Sequence, residues 1–145
     1  IIAAPDFPNS HGRKTKALVE LTDLYPTLAG LAGFAADLPK NLEGVSLLPV
    51  LMNPEDSVKE AAFTRHQQPF YGSRENWKAW GYSVRTERWR YTEWHAIEDG
   101  AVVAAELYDH ETDPNETTNL AEAPEIAPVR DRHAKLIREM YAPER

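Results

Sequence analysis

Residues 79–110 restrict what this chain can fold into more than any other stretch. They read AWGYSVRTERWRYTEWHAIEDGAVVAAELYDH, dense in aromatic and β-branched residues with partial alternation of period two. That texture suits a pleated, half-buried strand. On a strand, Tyr82, Val84 and Thr86 share one face, while Ser83, Arg85 and Glu87 share the other. A turn near Glu87 and Arg88 pairs 81–86 with 89–95, and Asp99-Gly100 marks a hairpin between 89–95 and 101–108. AAFTRH at 61–66 has the same character. The expected fold is α+β, a four-stranded antiparallel sheet built from 61–66, 81–87, 89–95 and 103–109 with helices packed on one face.

Three helices complete this reading. Leu18, Leu21, Leu24, Tyr25, Leu28 and Leu31 recur at helical spacing, with Thr22 or Asp23 as N-cap, Pro26 in the first turn and Gly33 at the C-terminal end. A short helix over 47–52 is capped by Ser46, carries Pro49 in its first turn and stops at Asn53-Pro54. The last runs over 127–140 and turns Val129, His133, Leu136, Ile137 and Met140 toward a core.

A net charge of −7 and a pI near 5.2 argue against nucleic acid or an anionic membrane as the main partner. The chain has no cysteine, so it contains neither a disulfide framework nor thiol chemistry. No apolar run approaches the length of a membrane span. The opening IIAAPDFPNS lacks an initiator Met and a leader pattern, and the chain reads as a piece of a longer polypeptide.

Glu106 to Glu122, ELYDHETDPNETTNLAE, tests a metal reading. Asp109, Glu111 and Asp113 supply the alternate oxygen ligands that open an EF-hand loop. Position six is Pro114 where the sharp turn needs Gly, and position twelve is Leu120 where a bidentate Glu is needed. The loop therefore reads as structural, with Asp113, Asn115 and Asn119 closing backbone turns. Asn115-Glu116-Thr117 also matches a glycosylation sequon, relevant only to an exposed loop in a eukaryotic protein.

Four ordered segments carry a resemblance: VELTDLYPTLAGLAG, LEGVSLLPVL, GYSVRTERWRYTEW and ELYDHETDPNETTNLA. Together, from Val19 to Ala121, they resemble the C-terminal part of the sulfatase family, within the alkaline-phosphatase-like superfamily, most closely its iduronate-2-sulfatase-like branch. The resemblance implies a linker and strand end over 1–16 and a sulfatase C-terminal subdomain over 17–145. The parent enzyme it implies hydrolyses sulfate esters of sulfated sugars and is exported or lysosomal. Such enzymes use a formylglycine, made within a C/S-x-P-x-R motif, beside a calcium ion. Neither that motif nor a DHG ligand motif occurs here, so formylglycine and calcium are expected in a catalytic domain outside this chain, which would be its main partner. The chain alone would be inactive.

The same resemblance makes this subdomain a wall of the substrate pocket. Arg65, His66 and Gln67 at the end of the first strand, and Trp94 and His95 at the end of another, are the candidate substrate-binding residues, because an anionic sugar needs cations for its oxygens and an aromatic face for its ring. The plain alternative places Trp94 in the core, His95 at a solvated strand end and Arg65 in a surface ion pair. Arg85, Arg88 and Arg90 read as an ion-pair network with Glu87, Glu93 and Glu106, and Arg85 also as an anchor of the sheet to the catalytic domain. Phe70, Tyr71, Trp77 and Trp80 are expected to form an exposed patch through which the isolated chain self-associates. Two other readings stay open: the C-terminal part of a phosphonate or phosphodiester hydrolase of the same superfamily, and a free-standing binding module.

Overall fold

The computed structural model describes residues 2–71 and 73–141; Ile1, Gly72 and residues 142–145 lie outside them. The chain divides into two compact units, Ile1–Ala62 and Phe63–Arg145.

The first unit holds α1 (Leu24–Leu31) and α2 (Leu48–Met52). Helix α1 starts after Asp23, one of the two expected N-cap positions, and is preceded by a 3-10 turn over Leu21–Asp23, closed by the Glu20 N–H donating to Asp23 Oδ2 at 2.7 Å. It ends as expected. Gly33 takes φ 84°, Phe34 N–H donates to Ala29 O and Gly33 N–H to Gly30 O, the paired bonds that close a helix through a left-handed residue. Ser46 Oγ accepts the Leu48 N–H at the start of α2.

The buried side of α1 carries Pro26 and Thr27, with Asp23 buried just ahead of it. Asp23 is fully buried and accepts from the N–H groups of Glu20 and Val45 and from Lys59 Nζ at 2.8 Å. Burial alone would raise the Asp23 carboxyl, but Lys59 and the two backbone donors outweigh it and hold the pKa below its ordinary value. Burial likewise pulls Lys59 down, and the Asp23 and Glu20 carboxylates more than restore it. Thr27 donates to Asp23 O at 2.6 Å and accepts the Leu47 N–H at 2.8 Å. The apolar stripe read from the sequence points outward, with Leu21 86%, Tyr25 58% and Leu28 62% exposed.

The second unit is built on the four-stranded antiparallel sheet, β1 (Ala62–Gln68), β2 (Ala79–Arg85), β3 (Trp89–Ala96) and β4 (Val102–Asp109), in that spatial order. Thr86 and Trp89 close the first hairpin, with Thr86 N–H donating to Trp89 O at 2.9 Å. The second hairpin uses a longer loop than a two-residue Asp-Gly turn. Ala96 N–H donates to Ala101 O, so four residues form the loop, and Gly100 supplies φ 73°. A register shift at Trp94/His95 accompanies it.

Helix α3 (Ala127–Met140) packs on β2 and β3. Its buried residues are His133, Ala134 and Ile137. Met140 is exposed rather than core, and Ala134 takes the inward place because it lies on the same helical face as His133 and Ile137. Val84, Tyr91 and Leu107, which the register places abreast, form the apolar centre of the sheet.

Candidate functional site

The register sorts the five candidate residues onto two faces. On the face that α3 covers, Arg65 lays its guanidinium 4.0 Å from the Trp80 ring centroid and 5.1 Å from that of Tyr82. His95 meets the same Tyr82 edge to face at 5.1 Å, and Trp77 packs edge-on to Trp80 at 5.2 Å. Thus Arg65 and His95 come together through Tyr82, which reading the sequence did not single out. The cross-strand period that puts Trp80 and Tyr82 on one face with His95 opposite contains that information.

The two cations differ in what they can still bind. His95 Nε2 meets Glu93 Oε2 at 2.9 Å, and Nδ1 meets Gly100 O at 3.1 Å, so both ring nitrogens are engaged within the sheet. Glu93 is buried and also accepts the Tyr91 hydroxyl at 2.9 Å. Burial, reinforced by the Glu93 carboxylate, pushes the Tyr91 phenol far above its ordinary pKa. Arg65 is exposed, and among the described residues its N–H groups have no acceptor. The cation–π contact holds it over the Trp80 ring while leaving the fork of donors available for an oxyanion.

On the other face, His66 meets Trp94 edge to face at 4.9 Å, and Trp94 Nε1 donates to Glu106 Oε1 at 2.8 Å. This contact depends on Gly81, where an added Cβ would lie 2.9 Å from the Trp94 ring and 3.2 Å from His66. Gln67 Nε2 donates to Phe70 O at 3.3 Å. Phe70 and Tyr71 are exposed, whereas Trp77 and Trp80 are half-buried, so the expected aromatic patch is open at two of its four rings.

The arginine network uses other partners than the sequence suggested. Arg88 forks onto Asp109, Nε to Oδ1 at 2.8 Å and Nη2 to Oδ2 at 2.7 Å, and Nη1 pairs with Glu111. The Arg88 fork holds the Asp109 carboxyl at about 2. Arg90 pairs with Glu116, which also meets His110 Nε2. Glu93 and Glu106 serve Tyr91, His95, Trp94 and Tyr108 instead. Arg88, in the turn before β3, thus ties the last residue of β4 to the loop that follows it.

That loop is tied by its own polar groups. Asp113 accepts the Thr118 N–H at 2.8 Å and the Thr117 hydroxyl at 3.0 Å. Asn119 Oδ1 accepts the N–H groups of Leu107 and Ala121, while Nδ2 donates to Ala105 O. Among the described residues no three His, Asp or Glu side chains converge as a metal site.

Comparison with known proteins identifies the fold's relatives. Residues 3–142 match the family described as N-sulphoglucosamine sulphohydrolase, C-terminal. Arylsulfatase K of Mus musculus is 42% identical over 127 residues, covering 83% of this chain and 21% of that protein. The Delta 4,5-hexuronate-2-O-sulfatase of Bacteroides thetaiotaomicron is 34% identical over 115 residues, 79% of this chain and 22% of that protein. The solved phosphonate monoester hydrolase of Agrobacterium radiobacter aligns with TM-score 0.70 and 27% identity over 95% of this chain and 28% of that one. The chain thus spans about a fifth of the length of the curated relatives it matches. With residues 3–142 of the chain matched by the family model and the four-stranded antiparallel sheet in place, the chain belongs to the sulfatase C-terminal domain family.

Proposed function

We propose that this chain is the substrate-side domain of a sulfatase that removes 2-O-sulfate from a sulfated uronic acid, the chemistry of an iduronate-2-sulfatase. The relative that acts as a hexuronate 2-O-sulfatase supports the substrate class. The observation that carries the site is Arg65, an exposed guanidinium held over the Trp80 ring with its donors free among the described residues. In this reading Arg65 holds the carboxylate of the sugar in bidentate fashion, and Tyr82, braced by His95, sets its position. In the same reading His66 and Trp94, on the opposite face, and Gln67 would shape the rest of the wall at these strand ends. The calcium and formylglycine belong to the catalytic part of the parent protein, which covers the α1 stripe and whose compartment is the exterior of the cell or the lysosome.

The test is kinetic and uses the whole parent protein. Arg65→Ala should lower kcat/KM for a 2-O-sulfated uronate disaccharide by at least about tenfold, the worth of one charge-assisted contact. Turnover of a small aryl sulfate, which has no carboxylate to hold, should be unchanged. Equal loss on both substrates, or no loss on either, rejects the role. The likeness to the phosphonate monoester hydrolase favours a second reading, phosphoester chemistry in the parent; faster hydrolysis of a phosphonate monoester than of any sulfate ester would select it.

A further inference from the structure

The face of the sheet away from α3 carries a charge arrangement that the fold alone does not call for. Register places Arg85 of β2 directly opposite Arg90 of β3. Cβ atoms of directly opposed residues stand about 4.5–5.5 Å apart, and like charges so placed destabilise a sheet. One carboxylate, Glu116, answers them. It bonds Arg90 and shares its other oxygen with His110 at 2.5 Å. To do so it sits at φ 55°, a left-handed conformation that a non-glycine residue adopts at some cost.

The remaining groups leave positive charge uncompensated. Among the described residues Arg85 donates only to its neighbour's carbonyl, Thr86 O, and forms no ion pair. Arg90 Nε is buried with no acceptor. Glu106, the next carboxylate on this face, is committed to Trp94 Nε1 and Tyr108 OH. Burial, with the Arg90 charge adding to it, lowers the Arg85 pKa despite Glu116, although the group stays charged at neutral pH. Both arginines are only partly covered, the Arg90 side chain being 38% exposed.

We propose that Arg85 and Arg90 form a clamp for one small free oxyanion, a sulfate or a carboxylate, on the face of the sheet opposite α3. Two guanidinium groups on paired positions of neighbouring strands present several N–H donors to a single tetrahedral or planar anion, and a ligand there would turn the cross-strand repulsion into a shared attraction. Ser83 and Thr92, paired one step along the same face, extend the polar surface toward the sheet centre. The clamp is distinct from the Arg65 position, which lies on the opposite face, and does not depend on the parent's reaction.

The 145-residue chain, labelled with nitrogen-15, is titrated with sodium sulfate against sodium chloride at matched ionic strength, following the arginine Nε–Hε resonances. The Arg85 and Arg90 signals, assigned by their loss in R85K and R90K, should move together and saturate, while that of Arg88 should not. Each lysine variant should weaken sulfate binding about tenfold. E116Q removes the competing carboxylate and should tighten binding severalfold, a gain that a destabilised variant could not mimic. Unsaturating shifts, equal shifts at all arginines, or unchanged or weaker binding in E116Q overturn the proposal. The same titration on the whole parent protein separates a free ligand from a built-in partner: retained binding supports the clamp, and loss of binding means that an acidic side chain of the parent fills the place and overturns a free-anion site.

Discussion

Asp23 and Lys59, 36 residues apart, meet at 2.8 Å where Asp23 has no exposed surface and the Lys59 side chain only 11%. The pair fixes the first turn of α1 to the segment that leads into β1. A buried ion pair is costly to break from one side because the survivor keeps its desolvation penalty without its partner.

Lys59→Met should therefore destabilise the first unit by roughly 3–5 kcal/mol, and Asp23→Asn, which keeps one acceptor for the backbone donors, by less. Urea unfolding followed by Tyr25 and Phe34 proton signals measures both. Loss of under about 1 kcal/mol in Lys59→Met would show the pair to be dispensable.

His133 supplies a pH dependence near neutrality. Its Nδ1 donates to Val129 O at 2.7 Å and its Nε2 meets the Thr86 hydroxyl at 3.0 Å, so the neutral ring satisfies both contacts. Burial lowers its pKa below 6.5, overriding the Val129 carbonyl and assisted by the Arg132 charge. The unfolded chain then takes up the proton first, and stability is full above 6.5 and falls as pH drops below it. His133→Gln should flatten the dependence of the second unit's denaturation midpoint between pH 7.5 and 5. An unchanged slope would assign it to another group.

Asp109 acts in a lower window. With its pKa at about 2 against 3.8 for an unperturbed carboxyl, it contributes stability at neutral pH that disappears as pH falls from 3.8 through 2. Asp109→Asn should be less stable than the native chain at pH 7 and indistinguishable from it near pH 2. A constant difference across that range would mean that the Arg88 fork does not carry the effect.

Gly81→Ala should displace Trp94, since the new methyl group would lie 2.9 Å from its ring. The expected cost is about 1–3 kcal/mol, the range for overpacking. Indole Nε1–H resonances would show the Trp94 bond to Glu106 weakened while Trp80 stays put. An unperturbed Trp94 resonance would show that the sheet yields there without strain.

Period and turn chemistry made the sheet legible. Residues 89–95 were placed within one residue of β3 because Thr86 to Trp89 and Gly100 punctuate the strand on both sides. The boundaries of β2 slipped by two residues, since Ala79 and Trp80 alternate no more clearly than Glu87 does. Helix α3 was readable from Ala127 to Met140, yet the inward residue Ala134 was not, because a methyl group barely marks a face. The site was harder. Local sequence put Arg65, His66 and Gln67 side by side, but alternation sends Arg65 and His66 to opposite faces, and only cross-strand register reveals Tyr82 as the meeting point of Arg65 and His95. The partners of Arg88 and Arg90 lie at the end of β4 and in the loop after it, at sequence distances that no period encodes.

Helix α1 keeps its carboxylate and hydroxyl inside and shows Leu21, Tyr25 and Leu28 to solvent. A substitution survey scored on the folding of this chain alone would rank those three positions among the most tolerant, and even reward polar replacements there. It would rank Asp23 and Thr27 among the least tolerant. Selection in a setting where the stripe is covered would reverse the first ranking and leave the second intact, so the difference between two such surveys, residue by residue, would draw the outline of whatever α1 rests against.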